Sequence, residues 1–151
     1  MSSVALTGKD TLIIDSRILA DQADGDCAVL EFPNNLVEAK LGKNGNAIYA
    51  FNASGKVVNA TLRVMRGSAD DKYLNSRLVE YTNDPAAFVL VAAEFIKRVG
   101  DGAGNITADT YQLKGGAFQK MPGAKENVNG DTEQAVSIYA LTFANADRAM
   151  G

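Results

Sequence analysis

Short clusters of glycine, asparagine and aspartate recur along this chain and limit how long any element between them can be. They stand at residues 24–26 (Asp-Gly-Asp), 42–46 (Gly-Lys-Asn-Gly-Asn), 52–55 (Asn-Ala-Ser-Gly), 100–105, 115–116 (Gly-Gly), 122–123 (Pro-Gly) and 129–131 (Asn-Gly-Asp). Glycine reaches positive φ without steric cost, and Asn and Asp bond back to their own main chain, so each cluster reads as a turn. The runs between them are rich in Val, Ile, Leu, Thr, Tyr and Phe, the composition of strands. A mainly β chain is expected, and the absence of a fixed period disfavours solenoids and propellers. At 151 residues, the whole of 1–151 is expected to form a single domain around a single core.

The clearest strand is 134–144, with Ala135, Ser137, Tyr139, Leu141 and Phe143 on one face and Val136, Ile138, Ala140 and Thr142 on the other. Both faces are fairly apolar, which predicts a central strand. Residues 57–66 alternate Val58, Ala60, Leu62 and Val64 against Asn59, Thr61 and Arg63, the pattern of a half-buried strand. Residues 36–41 behave likewise, with Val37, Ala39 and Leu41 opposed to Glu38 and Lys40. Weaker strands are expected at 11–15, 28–32 and 47–51. One helix is expected at 69–82. Ser68 and Asp71 form a capping pair, Asp70 and Asp71 put negative charge in the first turn, Leu74, Leu78 and Tyr81 make the apolar stripe, and Asn83-Asp84-Pro85 ends it. Residues 88–99 fit either period, but the turn at 100–105 and the strand-like 106–113 beyond it favour two long antiparallel strands.

The chain contains no His, so a Ser or Cys nucleophile lacks its usual proton acceptor, and mixed His/Cys zinc sites cannot be assembled. Cys27 is the only cysteine and is expected to be a small buried apolar residue. Lys and Arg total 15 against 18 Asp and Glu, and the longest basic cluster is Lys97-Arg98, which disfavours a surface that grips phosphate backbone. The longest uncharged apolar stretch, 86–93, is far shorter than the ~20 residues of a membrane helix, and residues 1–12 carry one Lys and no apolar run of signal-peptide length. A protein made and kept in a cytoplasm, or released by lysis, is expected, without a membrane partner.

The motifs that might carry chemistry fail on context. Gly100 to Gly104 is followed by Ile-Thr-Ala-Asp-Thr-Tyr rather than by a helix, so a hairpin turn is preferred over a phosphate cradle. Thr7-Gly8-Lys9-Asp10 lacks the upstream glycine and the hydroxyl residue of a P-loop. Asp21, Asp24 and Asp26 miss the alternating ligand spacing of a calcium loop, which leaves a solvated acidic loop. No pair among Glu31, Glu38 and Asp109 is placed in a cleft by sequence. No catalytic residue, cofactor or metal ligand is assigned, and an enzyme is not expected.

What remains is chemistry suited to association. Residues 41–56 carry Tyr49 and Phe51 between glycine-rich turns, more apolar than an idle loop. The segment is either a hairpin packed on its own core or a hairpin that projects and docks on a neighbouring subunit. In the second case Lys43, Asn44, Asn46, Tyr49, Phe51 and Lys56 are the candidate contacts between subunits, and charge reversal at Lys43 or Lys56 should impair stacking.

The order of elements resembles the tail tube protein of contractile-tailed bacteriophages. The likeness rests on Gly67-Ser68-Ala69-Asp70-Asp71 opening the single helix after the strand at 57–66. It also rests on the long hairpin with Lys114-Gly115-Gly116-Ala117-Phe118, and on a last strand at 135–143 ending in Ala144-Asn145-Ala146. It spans roughly residues 11–148. The resemblance implies a β-sandwich or partly closed antiparallel β-barrel with a flanking helix. It implies hexameric rings joined by sheet edges and stacked into a hollow tube, with residues 1–10 as a flexible arm. Needle tubes of related injection systems share that architecture. Implied partners are other copies of the chain, the tail sheath, baseplate and terminator proteins, and DNA that passes without specific binding. The implied location is the virion tail, assembled in the host cytoplasm.

On this resemblance Glu38, Asn59, Thr61 and Asp109 are candidate lumen-facing residues. A neutral to acidic wall agrees with passing DNA, because each fixed Lys or Arg would add a salt-dependent phosphate contact. Lys40 and Arg63, on the wet faces of the same strands, run against that expectation if unpaired. The alternative reading is a monomeric β-sandwich module binding a small molecule or carbohydrate, suggested by the glycine-rich loops and five tyrosines.

Overall fold

The segment Val58–Met65 shows how alternation builds the centre of the molecule. In the computed structural model, which describes residues 3–6, 8 and 10–151, Val58, Ala60, Leu62 and Val64 are at most 3% exposed. Asn59, Thr61 and Arg63 between them are half-buried on the opposite face. In chain order the elements are β1 (Ala5–Leu6), β2 (Thr11–Ile14), β3 (Arg17–Ile18), β4 (Ala28–Glu31), β5 (Val37–Leu41), β6 (Ala47–Phe51) and β7 (Val58–Met65). Then follow α1 (Ala69–Asn83), β8 (Val91–Gly100), β9 (Ile106–Lys120) and β10 (Val136–Met150).

The main sheet runs β3-β2-β8-β9-β10-β7-β4, with β1 pairing the end of β8, and every pairing is antiparallel. Its path ends at β3 and β4, so the sheet is not closed into a barrel. The architecture is mainly β, sandwich-like, with a single flanking helix. β5 and β6 form a separate two-stranded sheet. One apolar cluster joins Leu12 and Ile14 of β2, the inner face of β7, Leu74 and Leu78 of α1, Leu113 and Phe118 of β9, and Tyr139, Leu141 and Phe143 of β10. Each large side chain so buried contributes about 1.5–3 kcal/mol.

Several expectations need correction. β10 is central as expected, but its second face is only partly covered: Val136 is buried, Ala140 and Thr142 are half-buried, and Ile138 is 42% exposed. Gly115-Gly116 is the interior of a 15-residue strand rather than a turn. A Cβ on Gly116 would lie 2.4 Å from the Phe143 ring and 2.8 Å from the Val91 carbonyl oxygen, so glycine is there to let neighbouring elements approach. Residues 37–41 do form a strand, but an exposed one rather than half-buried. Cys27 is half-buried and its thiol donates to Gln22 Oε1 at 3.3 Å, so it is not an inert apolar filler. Of the arm at 1–10, Met1, Ser2, Thr7 and Lys9 lie outside the described residues, and with them half of the 7–10 motif. Ala5 and Leu6 are strand, and Asp10 binds Lys97 Nζ at 2.9 Å and the Arg98 amide at 3.1 Å.

The helix starts at Ala69 and runs to Asn83, one residue beyond expectation. Ser68 Oγ accepts from the Asp71 amide at 3.2 Å, satisfying an orphan donor of the first turn. Asp71 reaches back to the Gly67 amide at 2.8 Å, one residue beyond the Ser68 amide that a reciprocal capping box would use. The two aspartates do more than meet the helix dipole. Asp70 is 1% exposed and accepts from the amides of Ala20 and Asp21, both at 2.7 Å, and from Arg17 Nε at 3.1 Å. Asp71 Oδ1 accepts from Tyr139 Oη at 2.6 Å. Burial works against the Asp71 charge, but hydrogen bonds from Tyr139, Gly67 and Ser137 hold its pKa below the ordinary value. Burial and the same partner push the Tyr139 phenol up. A helix with few buried apolar residues is thus pinned to the sheet by carboxylates.

Candidate functional site

The β5–β6 hairpin is the surface least explained by the fold. Its register pairs Val37 with Phe51, Ala39 with Tyr49 and Leu41 with Ala47, while Glu38 faces Ala50 and Lys40 faces Ile48. Directly opposed residues share a face, so one side of the ribbon is wholly apolar and the other carries both charges. Among the described residues little covers the apolar side: Val37 is 48% exposed, Leu41 80%, Tyr49 72% and Phe51 68%. An isolated two-stranded ribbon is marginal in water, and an uncovered apolar face of this kind marks a contact surface. The apolar face is thus exposed rather than packed on the core of the subunit, against the first of the two sequence readings. The hairpin is 37–51, set earlier in the chain than the expected 41–56.

Its tip is a tight 3₁₀ turn, Lys43–Gly45, closed by the Gly42 amide donating to the Asn46 carbonyl at 2.6 Å. Asn44 has φ +69°, a conformation that Asn tolerates better than most residues. Lys43, Asn44 and Asn46 therefore sit together at the exposed tip, with Tyr49 and Phe51 on the apolar face behind them.

Lys56 does not join them. It belongs to the 3₁₀ turn Ala53–Lys56 at the root, where its Nζ lies 2.9 Å from Asp147 Oδ1 of β10. At that root the Asn52 amide donates to the Leu36 carbonyl at 2.7 Å and Asn34 Nδ2 donates to the Ser54 carbonyl at 3.2 Å. Gly55 is buried beneath this crossing, and a Cβ there would be 2.7 Å from Leu36 Cα. The root is fixed while the ribbon stands clear. Sequence reasoning missed the roles of Gly55 and Asp147, because Gly55 meets the backbone of Asn35 and Leu36 only where the chain crosses itself and the Lys56–Asp147 contact joins residues 91 positions apart.

The candidate lumen residues separate as well. Asn59 and Thr61 lie on the face of β7 away from the core, beside Thr142 and Ala140 of β10, a patch of small neutral side chains. Glu38 is exposed on the hairpin rather than on the main sheet. Asp109 is no free surface carboxylate: it is 6% exposed and accepts from Arg148 Nε and Nη2, both at 2.8 Å. Those bonds hold its pKa below the ordinary carboxylate value and raise that of Arg148. Arg63 is likewise paired, its Nη1 and Nη2 donating to Glu133 at 2.9 and 2.6 Å. Only Lys40, of the two cations that ran against a nonstick wall, is without an ion pair among the described residues, and it sits on the hairpin.

Two hollows flank these surfaces. A groove of about 670 Å³ at the hairpin root is lined by Phe32, Leu36, Tyr111 and Ala146, with the Lys56–Asp147 and Arg148–Asp109 pairs along it. A second hollow, of about 640 Å³, lies at the far end of β7 around Ala23, Met65, Ala135 and Val136. Among the described residues no cluster of acidic or cysteine side chains is placed to hold a metal ion, and no helix is long and apolar enough to cross a membrane. Compared with known proteins, the sequence matches no family model and no curated protein.

Proposed function

We propose that this chain is a structural, self-assembling subunit that closes into hexameric rings and stacks into a tube, the inner tail tube through which a contractile-tailed phage passes its DNA. The observation that carries the reading is the β5–β6 hairpin, an ordered ribbon with one wholly apolar, uncovered face held on a rigid root. Such a surface is costly for a protein that works alone and is suited to one that works in contact with copies of itself. Further support comes from the main sheet. It ends in unclosed edges at β3 and β4, which offer main-chain donors and acceptors to a neighbour. On its outer face Asn59, Thr61, Ala140 and Thr142 are small and neutral, with Glu31 opposite Asn59 and Lys120 opposite Ala140, and the nearby Arg63 charge is met by Glu133, which leaves fewer fixed cations to retain phosphate.

Electron microscopy of the purified protein over a concentration series, with size-exclusion chromatography of the same samples, tests the proposal. Rings or hollow tubes are expected. A chain that stays strictly monomeric throughout the series overturns it.

A second reading, a monomeric module for a small molecule or carbohydrate, draws on the root groove, whose Phe32 and Tyr111 rings stand 6.4 Å apart beside polar side chains. Saturable binding of a sugar by that monomer, lost on Tyr111→Ala, would favour it.

A further inference from the structure

We propose that Asn44, at the tip of the hairpin, is a site of spontaneous covalent modification, converted to aspartate and isoaspartate with Gly45 supplying the attacking nitrogen. Four steps in the chain place Asn or Asp before glycine: Asp24-Gly25, Asn44-Gly45, Asp101-Gly102 and Asn129-Gly130. Glycine favours the reaction because, without a Cβ, its amide nitrogen is open to approach and its backbone turns freely.

The chemistry needs only water. The Gly45 amide, having given its proton to water, attacks Asn44 Cγ. The bond from Cγ to the side-chain nitrogen breaks, and that nitrogen leaves as ammonia with a proton taken from water. Water then opens the five-membered imide. Attack at Cγ gives aspartate, and attack at the main-chain carbonyl gives isoaspartate, whose backbone runs through Cβ. One water is consumed, one ammonia is released, and nothing is oxidised or reduced. Asp side chains are ionised at neutral pH, and a carboxylate is a poor electrophile, so the two Asp-Gly steps are set aside.

The fold separates the two that remain. Asn129-Gly130 lies in a braced loop. The Asn127 amide donates to Gln134 Oε1 at 3.0 Å, the Asn129 amide to Asn127 Oδ1 at 2.9 Å and the Gly130 amide to the Asn127 carbonyl at 3.3 Å. Lys125 pairs with Asp131 across the same loop, and Asp131 Oδ1 also accepts from the Glu133 amide at 3.0 Å. Asn44 has no such bracing. The side-chain bonds of the hairpin region involve Asn34, Asn52 and Ser54 at its root, and none reaches Asn44 among the described residues. Ring closure requires Asn44 to rotate far from its folded φ 69° and ψ 25°, so the turn has to open first. Opening is cheap here. Asn44 already holds a left-handed conformation that costs a side-chain-bearing residue energy, and the turn caps a two-stranded ribbon that pairs with no other strand.

The product changes the tip in two ways. Lys40 and Lys43, opposed in the ribbon by Glu38 alone, are balanced by a second carboxylate. Isoaspartate also lengthens the main chain by one carbon in the turn that sets the register of β5 and β6. The reaction belongs to the free subunit and does not depend on how copies assemble.

The test incubates the full chain at neutral pH in heavy-oxygen water, folded and in urea, and follows label at each position by peptide mapping with fragmentation spectra. Label marks ring opening during the incubation and excludes conversion during digestion. In urea the two Asn-Gly steps should react alike. On folding, position 129 should slow by about fivefold or more, the rate equivalent of one net hydrogen bond, while position 44 keeps most of its urea rate. An isoaspartyl methyltransferase should label the folded, incubated chain in the peptide that holds position 44, and should not label an Asn44→Gln chain there. Folded protein without label at position 44, or slowed at 44 as much as at 129, overturns the proposal.

Discussion

β7 and the β5–β6 ribbon are written in the same code and end in opposite environments. In each, apolar residues alternate along the strand: Val58, Ala60, Leu62 and Val64 in one, Val37, Ala39 and Leu41 with Ala47, Tyr49 and Phe51 in the other. The first set is at most 3% exposed, whereas Leu41, Tyr49 and Phe51 are 68% exposed or more. Alternation therefore specifies a strand and one apolar face, but not what covers that face. In β7 the cover is the rest of the chain. In the ribbon no described residue supplies it, and in the proposed assembly the cover is another copy.

That contrast can be broken most forcefully at the centre. Phe143→Ala, at a residue 1% exposed, should cost about 3–5 kcal/mol in urea unfolding, because it removes buried area and leaves a cavity. A loss below about 1 kcal/mol would show that β10 is not part of a tightly packed core. Gly116→Ala should cost nearly as much, about 3 kcal/mol, since the new methyl meets the Phe143 ring and the Val91 carbonyl, and the latter is backbone that cannot step aside. Full stability in that variant would mean the two strands can part without penalty.

Asp71→Asn should cost about 2 kcal/mol at neutral pH through the lost charged acceptor for Tyr139, Ser137 and Gly67. The sign with pH follows from its lowered pKa. A carboxylate whose folded pKa lies below the unfolded value stabilises fully above about pH 4 and loses that contribution as pH falls through the folded pKa. Wild type should therefore lose stability faster than Asp71→Asn on acidification below about pH 4, and parallel curves would refute the assignment.

The smallest effect on folding is expected where the apolar residues are largest and most exposed. Tyr49→Ser with Phe51→Ser should change monomer stability by no more than about 0.5 kcal/mol, while removing tube growth in sedimentation and electron microscopy. Core-like destabilisation of the monomer by this pair would place the ribbon's apolar face inside the subunit.

Much of this was readable from the residues. The mainly β class, the single helix with its Ser68 cap, the β8–β9 hairpin and the inner faces of β7 and β10 all follow from local patterns, because period, caps and turn residues act within a few positions. The misreadings came from contacts between distant positions. Gly115-Gly116 has turn composition but sits opposite Phe143 and Ala144. Lys56 looked like part of the hairpin but is tied to Asp147. Asp109, a wall candidate on the resemblance, is claimed by Arg148 across the β9–β10 ladder, with the Arg148 guanidinium 5.4 Å from the Tyr111 ring.

The sequence by itself determined where most strands and turns fall, which side of β7 is apolar, and that one helix interrupts the strands, since these depend on steric and hydrogen-bonding preferences of neighbouring residues. Only the tertiary structure decided which apolar faces are covered, which charges are paired, and that β5 and β6 stand apart with their apolar face in water. Those outcomes depend on pairing between segments far apart in the chain, and the same alternating pattern is compatible with either result until its neighbours are in place.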